Sequence, residues 1–191
     1  MIINNLSEIL DINNSVIIIG SGPAGISTAI KLEKNRIKTL IVEAGDIEPE
    51  IDSSPYLSGE VQGDKYPELS SLRLRQFGGT SGHWGGNCNP FREEDLNEWP
   101  IKLKDLNKYS LEAKEILNLK KKFYDEKFSE NLKIYNLSWS NVRFGEKYFE
   151  HIKRSKYINL SLNAAFLNFN GKTKKIDSVT CFKNDKFYNL K

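Results

Sequence analysis

The residues of this chain best suited by type and spacing to do chemistry are Gly20-Ser21-Gly22-Pro23-Ala24-Gly25, and the chemistry they suit is the binding of a pyrophosphate. An apolar run from Val16 to Ile19 leads into them. A helical pattern with Ile26, Ala29, Ile30 and Leu32 on one side leads away. Gly20 allows a tight turn out of a strand, Gly22 lets a phosphate group reach bare backbone, and Gly25 lets the helix pack closely on the strand. The helix N-terminus adds free N–H groups and the positive end of a dipole. A second apolar run, Thr39 to Val42, ends at Glu43, eighteen positions after Gly25. That is close to the offset of about 20 residues at which an acid accepts hydrogen bonds from ribose hydroxyls. An acid there disfavours NADP, whose 2′-phosphate calls for an Arg, and leaves both NAD and FAD open. The competing explanation is a glycine-rich turn in an unrelated α/β protein.

A second dense stretch runs from Ser71 to Pro90. Two glycine pairs, Gly78-Gly79 and Gly85-Gly86, bracket Thr80, Ser81, His83 and Trp84, with Arg73 and Arg75 just before them. Paired glycines remove side chains where backbone must approach something closely, while hydroxyls, an imidazole and an indole supply donors and a flat surface. The stretch reads either as a loop in contact with a cofactor or as a structural turn around a packed Trp.

The elements that must position these residues are those of an α/β domain. Strand, turn, helix and strand follow in order from Val16 to Glu43. Asp46 to Ser70, with Pro49, Pro55, Gly59, Gly63 and Pro67, reads as a long irregular excursion. An amphipathic helix is expected from Leu103 to Leu117 and another over Val142 to Lys156, where His151 reads as a surface histidine. Leu132, Ile134 and Leu137 fit a strand or irregular chain, with Trp139 buried beside them. Ile158 to Leu162 reads as a third strand entering the dinucleotide sheet. Ala165 to Phe169, Ile176 to Phe182 and Phe187 to Leu190 then form a small antiparallel layer, with turns at Asn170-Gly171 and Asn184-Asp185.

Composition bounds the partners. With 191 residues, 39% hydrophobic and 28% charged, the chain has enough apolar residues for a sizeable core. A net charge of +3 spread over scattered lysines gives no footprint for nucleic acid or membrane. Phe123, Tyr124 and Phe128 stand among lysines, but Asp125, Glu126 and Glu130 between them describe a solvated face. Cys88 and Cys181 are too far apart for a CxxC pair, no metal site is assigned, and no run approaches a membrane span of about 18 residues. The first fifteen residues lack the features of a signal peptide, so a cytoplasmic location is expected.

GSGPAG with IVEAG, RQFGGTSGHWGG, the DLNEWP segment of Asp95 to Pro100 with Leu106 and Tyr109, and RFG at Arg143 to Gly145 together resemble the glucose-methanol-choline oxidoreductase family. The branch of pyranose oxidases and sugar dehydrogenases, where a glycine pair precedes a His-Trp dipeptide, is the most similar. The motifs fall in the family's order across nearly the whole chain. The resemblance implies a Rossmann-like FAD/NAD(P)-binding fold with a small antiparallel β layer, and FAD as the cofactor. It implies that Gly20, Ser21, Gly22 and Gly25, with Pro23 and Ala24 in the same turn, serve the diphosphate, and Glu43 and Ala44 the ribose and adenine side. Arg75, Gly78, Gly79, Thr80 and Ser81 are expected beside the ribityl chain and ring, and the Asn163 to Ala165 turn, centred on Ala164, against adenine.

His83, followed by Trp84, stands where relatives attach a histidine to the flavin 8-methyl carbon, so covalent FAD is one expectation and a non-covalent His near the ring the other. The family activity is oxidation of a small-molecule alcohol or sugar, with a base taking the hydroxyl proton and hydride passing to the flavin. The family's catalytic histidine lies near the C-terminus of its members, and neither His83 nor His151 stands in that motif. Residues 1–191 therefore read as the N-terminal FAD-binding part, with the fold incomplete at its C-terminus, the substrate domain largely missing and no catalytic residue named. A complementing C-terminal half or an oligomer is the expected partner. The alternative is a non-catalytic flavin-binding module.

Overall fold

The computed structural model describes residues 1–9, 15–49, 54–119, 125–127, 129, 133–135 and 137–191. They divide into two units, residues 1–84 with 143–191, and residues 85–142.

The larger unit opens with β1 (Ser15–Ile19), α1 (Pro23–Lys34) and β2 (Lys38–Val42). β1 and β2 are parallel, from Ser15 opposite Lys38 to Ile19 opposite Val42, so the chain must cross over between them, and α1 is that crossover. α1 buries Ile26 and Ala29 and carries Lys31 and Lys34 in its last turn, at the negative end of its dipole. β2 is the middle strand and is buried from Thr39 to Val42, in keeping with its unbroken apolar run. The excursion after Asp46 contains two single-turn helices, α2 (Ser54–Leu57) and α3 (Leu69–Leu72).

In the smaller unit, β3 (Asn87–Cys88), α4 (Leu103–Asn107), α5 (Ser110–Ile116), β4 (Asp125–Lys127), β5 (Lys133–Tyr135) and β6 (Ser138–Trp139) follow. β3 pairs with β6 and β4 with β5, both antiparallel. The single helix expected from Leu103 to Leu117 is two, interrupted at Lys108 and Tyr109, where the Tyr109 N–H closes back on the Leu106 carbonyl three residues earlier. Trp139 is not buried as expected but 65% exposed. Its indole N–H donates to the Gly85 carbonyl at 2.7 Å, which lets the ring lie on the surface. The readings of Phe123, Tyr124, Phe128, Glu130 and Leu132 lie outside the described residues.

The chain re-enters the larger unit with α6 (Phe144–Arg154), β7 (Ile158–Ser161), β8 (Ala165–Lys172), β9 (Lys175–Lys183) and β10 (Lys186–Leu190). β7 joins the free side of β2 in parallel, giving the order β1-β2-β7. β8, β9 and β10 form an antiparallel meander whose Val179, Cys181 and Leu190 close over Leu6, Leu40, Val42 and Ala164 as one core. The expected turn at Asn170-Gly171 is instead a register irregularity within β8, and the hairpin turns three residues later, at Thr173-Lys174 between Lys172 and Lys175. Asn184 and Asp185 form the next turn, at φ 50° and 58°. The fold is therefore α/β and Rossmann-like with a small antiparallel layer. No helix among the described residues is long and apolar enough to cross a membrane.

Candidate functional site

The first glycine turn is built as its residues require. Gly20 sits at φ 87°, in the left-handed region, and its N–H donates to the Val42 carbonyl at 2.8 Å, tying the turn to the end of β2. A methyl group on Gly25 would meet the Gly20 carbonyl oxygen at 2.0 Å and Ile18 Cγ2 at 3.2 Å, so the close approach of α1 to β1 depends on the missing side chain. At Gly22 the same test meets nothing within 4 Å, and that side of the backbone is open. Gly22 caps α1 and Pro23 occupies its first turn. Ile26 N–H returns to Gly22, while the N–H groups of Ala24 and Gly25 have no partner within the helix and face its N-terminal end. An open glycine backbone beside a helix N-terminus is a place for an anion such as a diphosphate.

Glu43 is buried just past β2. Its Oε2 accepts from the Ser21 N–H at 2.8 Å and the Ser21 hydroxyl at 2.6 Å, and its Oε1 accepts from the Gly45 N–H at 2.8 Å. The carboxylate thus braces the glycine turn against the strand end, a role the spacing rule for a ribose ligand did not reveal. Oε1, with one bond made, keeps acceptor capacity for a hydroxyl. Ala44 lies half-buried between Glu43 and Gly45.

The second glycine stretch packs directly on the first. Gly78, at φ 87°, donates its N–H towards Ser21, 3.1 Å from the carbonyl and 3.3 Å from the hydroxyl. A methyl on Gly78 would lie 2.3 Å from the Gly145 nitrogen at the start of α6, and one on Gly79, at φ 57°, would lie 3.1 Å from Gly22 Cα. Ser81 is buried, its hydroxyl donating to the Gly78 carbonyl at 2.7 Å and accepting from the Phe144 N–H at 3.1 Å. Ser81 therefore fastens the glycine pair to α6. Thr80 Oγ1 accepts from the Leu74 N–H at 3.3 Å. The Arg75 guanidinium lies 4.6 Å over the ring of Tyr56, and Trp84 meets Phe144 edge-on at 6.3 Å. His83 is exposed.

A third segment completes the group. The Ala164 N–H donates to the Glu43 carbonyl at 2.8 Å and the Asn163 N–H to the Gly45 carbonyl at 3.0 Å. Ala164 itself points into the core, so the turn offers backbone rather than side chain at this edge. Asn163 Nδ2 donates to Asp46 Oδ2 at 2.9 Å, which with the Ile47 N–H holds the Asp46 carboxyl below its ordinary value. Asp46 also pairs with Gln76 in a parallel bridge. Behind the turn, the ammonium of Lys183 is buried and donates to Leu162 O at 2.6 Å, Ser161 Oγ at 3.0 Å and Ile3 O at 3.3 Å, and its burial pushes the pKa down. Gly20 to Gly25, Glu43 to Asp46, Gln76 to Ser81 and Asn163 to Ala164 are thus neighbours. His83 follows them, its N–H donating to the Thr80 carbonyl at 3.2 Å, and lines a cleft of about 570 Å³ with Gln76, Phe77, Arg143, Glu146 and Phe149 among its lining residues.

Residues 15–48, the strand-turn-helix-strand unit and the acid that follows it, match the family model for the FAD binding domain. FAD is the cofactor to which this unit corresponds, and the open Gly22 backbone, the helix N-terminus and the spare acceptor capacity of Glu43 fit its adenosine diphosphate half. The particular likeness is to a solved structure, pyridoxine 4-oxidase from Mesorbium loti, at 14% identity and a TM-score of 0.59. That match covers 93% of this chain and 48% of the other, so the chain spans about half the length of its structural relative. No curated protein matches the sequence.

Proposed function

We propose that the chain is the FAD-binding, N-terminal portion of an oxidoreductase of the glucose-methanol-choline type, acting on CH–OH groups of small alcohols, polyols or sugars in the cytoplasm. One observation carries this reading: the two glycine stretches, fifty-six residues apart at Gly22 and Gly78, pack against each other at the open end of α1. The motif order described above and the resemblance in fold to an oxidase of a small molecule, pyridoxine, support it.

Gly20, Ser21, Gly22 and Gly25 hold the diphosphate, and Glu43, Ala44 and the Ala164 backbone hold the adenosine. Arg75, Gly78, Gly79, Thr80 and Ser81 line the path of the ribityl chain and ring, with His83 and Trp84 beyond. The ring, when bound, supplies the hydride acceptor. The residues of this chain bind and orient it, and exclude water from the diphosphate end. Attachment of His83 to the flavin 8-methyl carbon is the finer form of the proposal.

The base that takes the substrate proton lies outside these residues, since the sequence holds only His83 and His151, and His151 faces Glu33 on α1 instead. A complementing half fits the sheet. Among the described residues no strand pairs with the outer edge of β1, whose Val16 and Ile19 are 40% and 43% exposed. The same observation favours the second reading, a flavin-binding module completed by a separately encoded partner. Incubation with FAD followed by denaturing electrophoresis tests the site. Flavin fluorescence that stays with the protein and is lost in His83→Ala is expected for covalent attachment. Flavin that binds the native chain and leaves on denaturation overturns the covalent form while sparing the rest.

A further inference from the structure

Ser21 is the buried residue of the first glycine turn, with 0% of its surface exposed, and both of its donors are taken. Its N–H and its hydroxyl donate to Glu43 Oε2, at 2.8 and 2.6 Å. Its carbonyl and hydroxyl oxygens share the Gly78 N–H, at 3.1 and 3.3 Å. What Ser21 has left is acceptor capacity, and a phosphate oxygen needs a donor. A buried residue without a free donor does not hold a diphosphate by contact.

The same bonds give it another task. One hydroxyl donates to the acid past the end of β2 and accepts from the backbone of the second glycine stretch, so it joins two segments that lie far apart in sequence. Each segment is backed from its other side. Glu43 Oε1 accepts from the Gly45 N–H at 2.8 Å, and Gly78 lies so close to α6 that a methyl on it would be 2.3 Å from the Gly145 nitrogen. The residues that follow Ser21 and Gly78 are Gly22 and Gly79, both half-buried rather than buried. A methyl on Gly79 would lie 3.1 Å from Gly22 Cα, while one on Gly22 would meet nothing within 4 Å. The spacing of these two reachable backbones is therefore set by the contact one residue before each.

We propose that Ser21 is a positioning residue and not a ligand of the diphosphate: its hydroxyl couples Glu43, at the adenosine end of the site, to the Gly78-Gly79 pair at the flavin end, so that filling the first readies the second. The inference rests on the FAD reading above. Within the turn it leaves contact with the diphosphate to the glycine backbone and the start of α1, and gives Ser21 the task of holding that backbone in register with the second stretch.

The test compares dissociation constants of the full chain for FAD, by flavin fluorescence, and for ADP, by calorimetric titration, in wild type, Ser21→Ala and Ser21→Cys. Cys keeps the shape of the side chain and replaces the hydroxyl by a weak donor and acceptor. ADP meets the Glu43 side alone, whereas FAD meets both segments that Ser21 joins. FAD binding is expected to weaken about tenfold in Ser21→Ala and at least about threefold in Ser21→Cys, with ADP binding within about threefold of wild type in Ser21→Ala and within about twofold in Ser21→Cys. Equal losses for FAD and ADP, which a direct diphosphate ligand or a damaged fold would produce, overturn the proposal. Unchanged FAD binding overturns it too, as does wild-type affinity in Ser21→Cys, because filled space would then suffice. A second measurement needs no variant: ADP bound to wild type is expected to slow hydrogen exchange at the Gly78 amide by about threefold or more, through the Ser21 contact. A Gly78 amide that ADP leaves unmoved sinks this inference alone, while wild type that does not bind FAD sinks the FAD reading and this inference with it.

Discussion

Single residues carry the site through contacts that can be broken one at a time. Gly25→Ala puts a carbon 2.0 Å from the Gly20 carbonyl oxygen and forces α1 off β1, and a loss of about 2 kcal/mol or more in urea unfolding is expected, at the upper part of the overpacking range. Gly22→Ala, by contrast, has open space for its methyl. It is expected to leave stability within about 0.5 kcal/mol while weakening ADP binding, which separates a ligand-facing glycine from a packing glycine in one pair of measurements. Lys183 gives the pH dependence. Its folded pKa is lowered by burial, with Asp46 opposing, so between that lowered value and 10.5 the unfolded chain binds more protons than the folded one. Stability contributed by this group therefore rises with pH through that window. Tyr148, Cys88 and Cys181, whose pKa values burial raises, act in the opposite sense, so the readout is the difference between wild type and Lys183→Met, and that difference is expected to grow in favour of wild type as pH approaches 10.5. At this scale the glycines were legible because backbone demands leave a residue-type signature. The double use of Ser21 and Glu43, and the engagement of Ser81 with Phe144, were not, since a hydroxyl or carboxylate carries no mark of which partner it will meet in space.

At the scale of elements, the parallel core was readable because strand, crossover and strand follow one another within thirty residues, each with its own period. The long-range strand β7 was readable too, from an apolar run after a helix. Where the reading failed, other hydrogen bonds overrode the local pattern. The expected Leu103 to Leu117 helix breaks at Lys108 and Tyr109, and the expected hairpin turn at Asn170-Gly171 moves because Asn170 is held in the sheet, its Nδ2 donating to Thr180 Oγ1 at 2.8 Å and Asn189 Oδ1 at 2.9 Å. A substitution tests the turn that was read correctly. Asp185 stands at φ 58°, where an L side chain is strained and glycine is not, so Asp185→Gly is expected to stabilise the β9-β10 hairpin by about 0.5–1 kcal/mol, seen as a higher midpoint in thermal unfolding. A lower midpoint would mean that the Asp185 side chain holds the turn.

At the scale of the whole molecule, the sheet order β1-β2-β7 leaves one edge of β1 that no strand pairs with among the described residues. That edge, with Val16 and Ile19 partly exposed, is expected to make the chain self-associate, and Val16→Lys to reduce that association in sedimentation velocity. The central claim, however, is about the cofactor. Its most direct test is a titration of the purified chain with FAD, followed by the visible absorption of the flavin, with NAD and ADP as competitors. One FAD bound per chain, displaced by ADP and indifferent to NAD, is the expected result; a flavin spectrum that stays that of free FAD, or NAD binding tighter than FAD, contradicts the account.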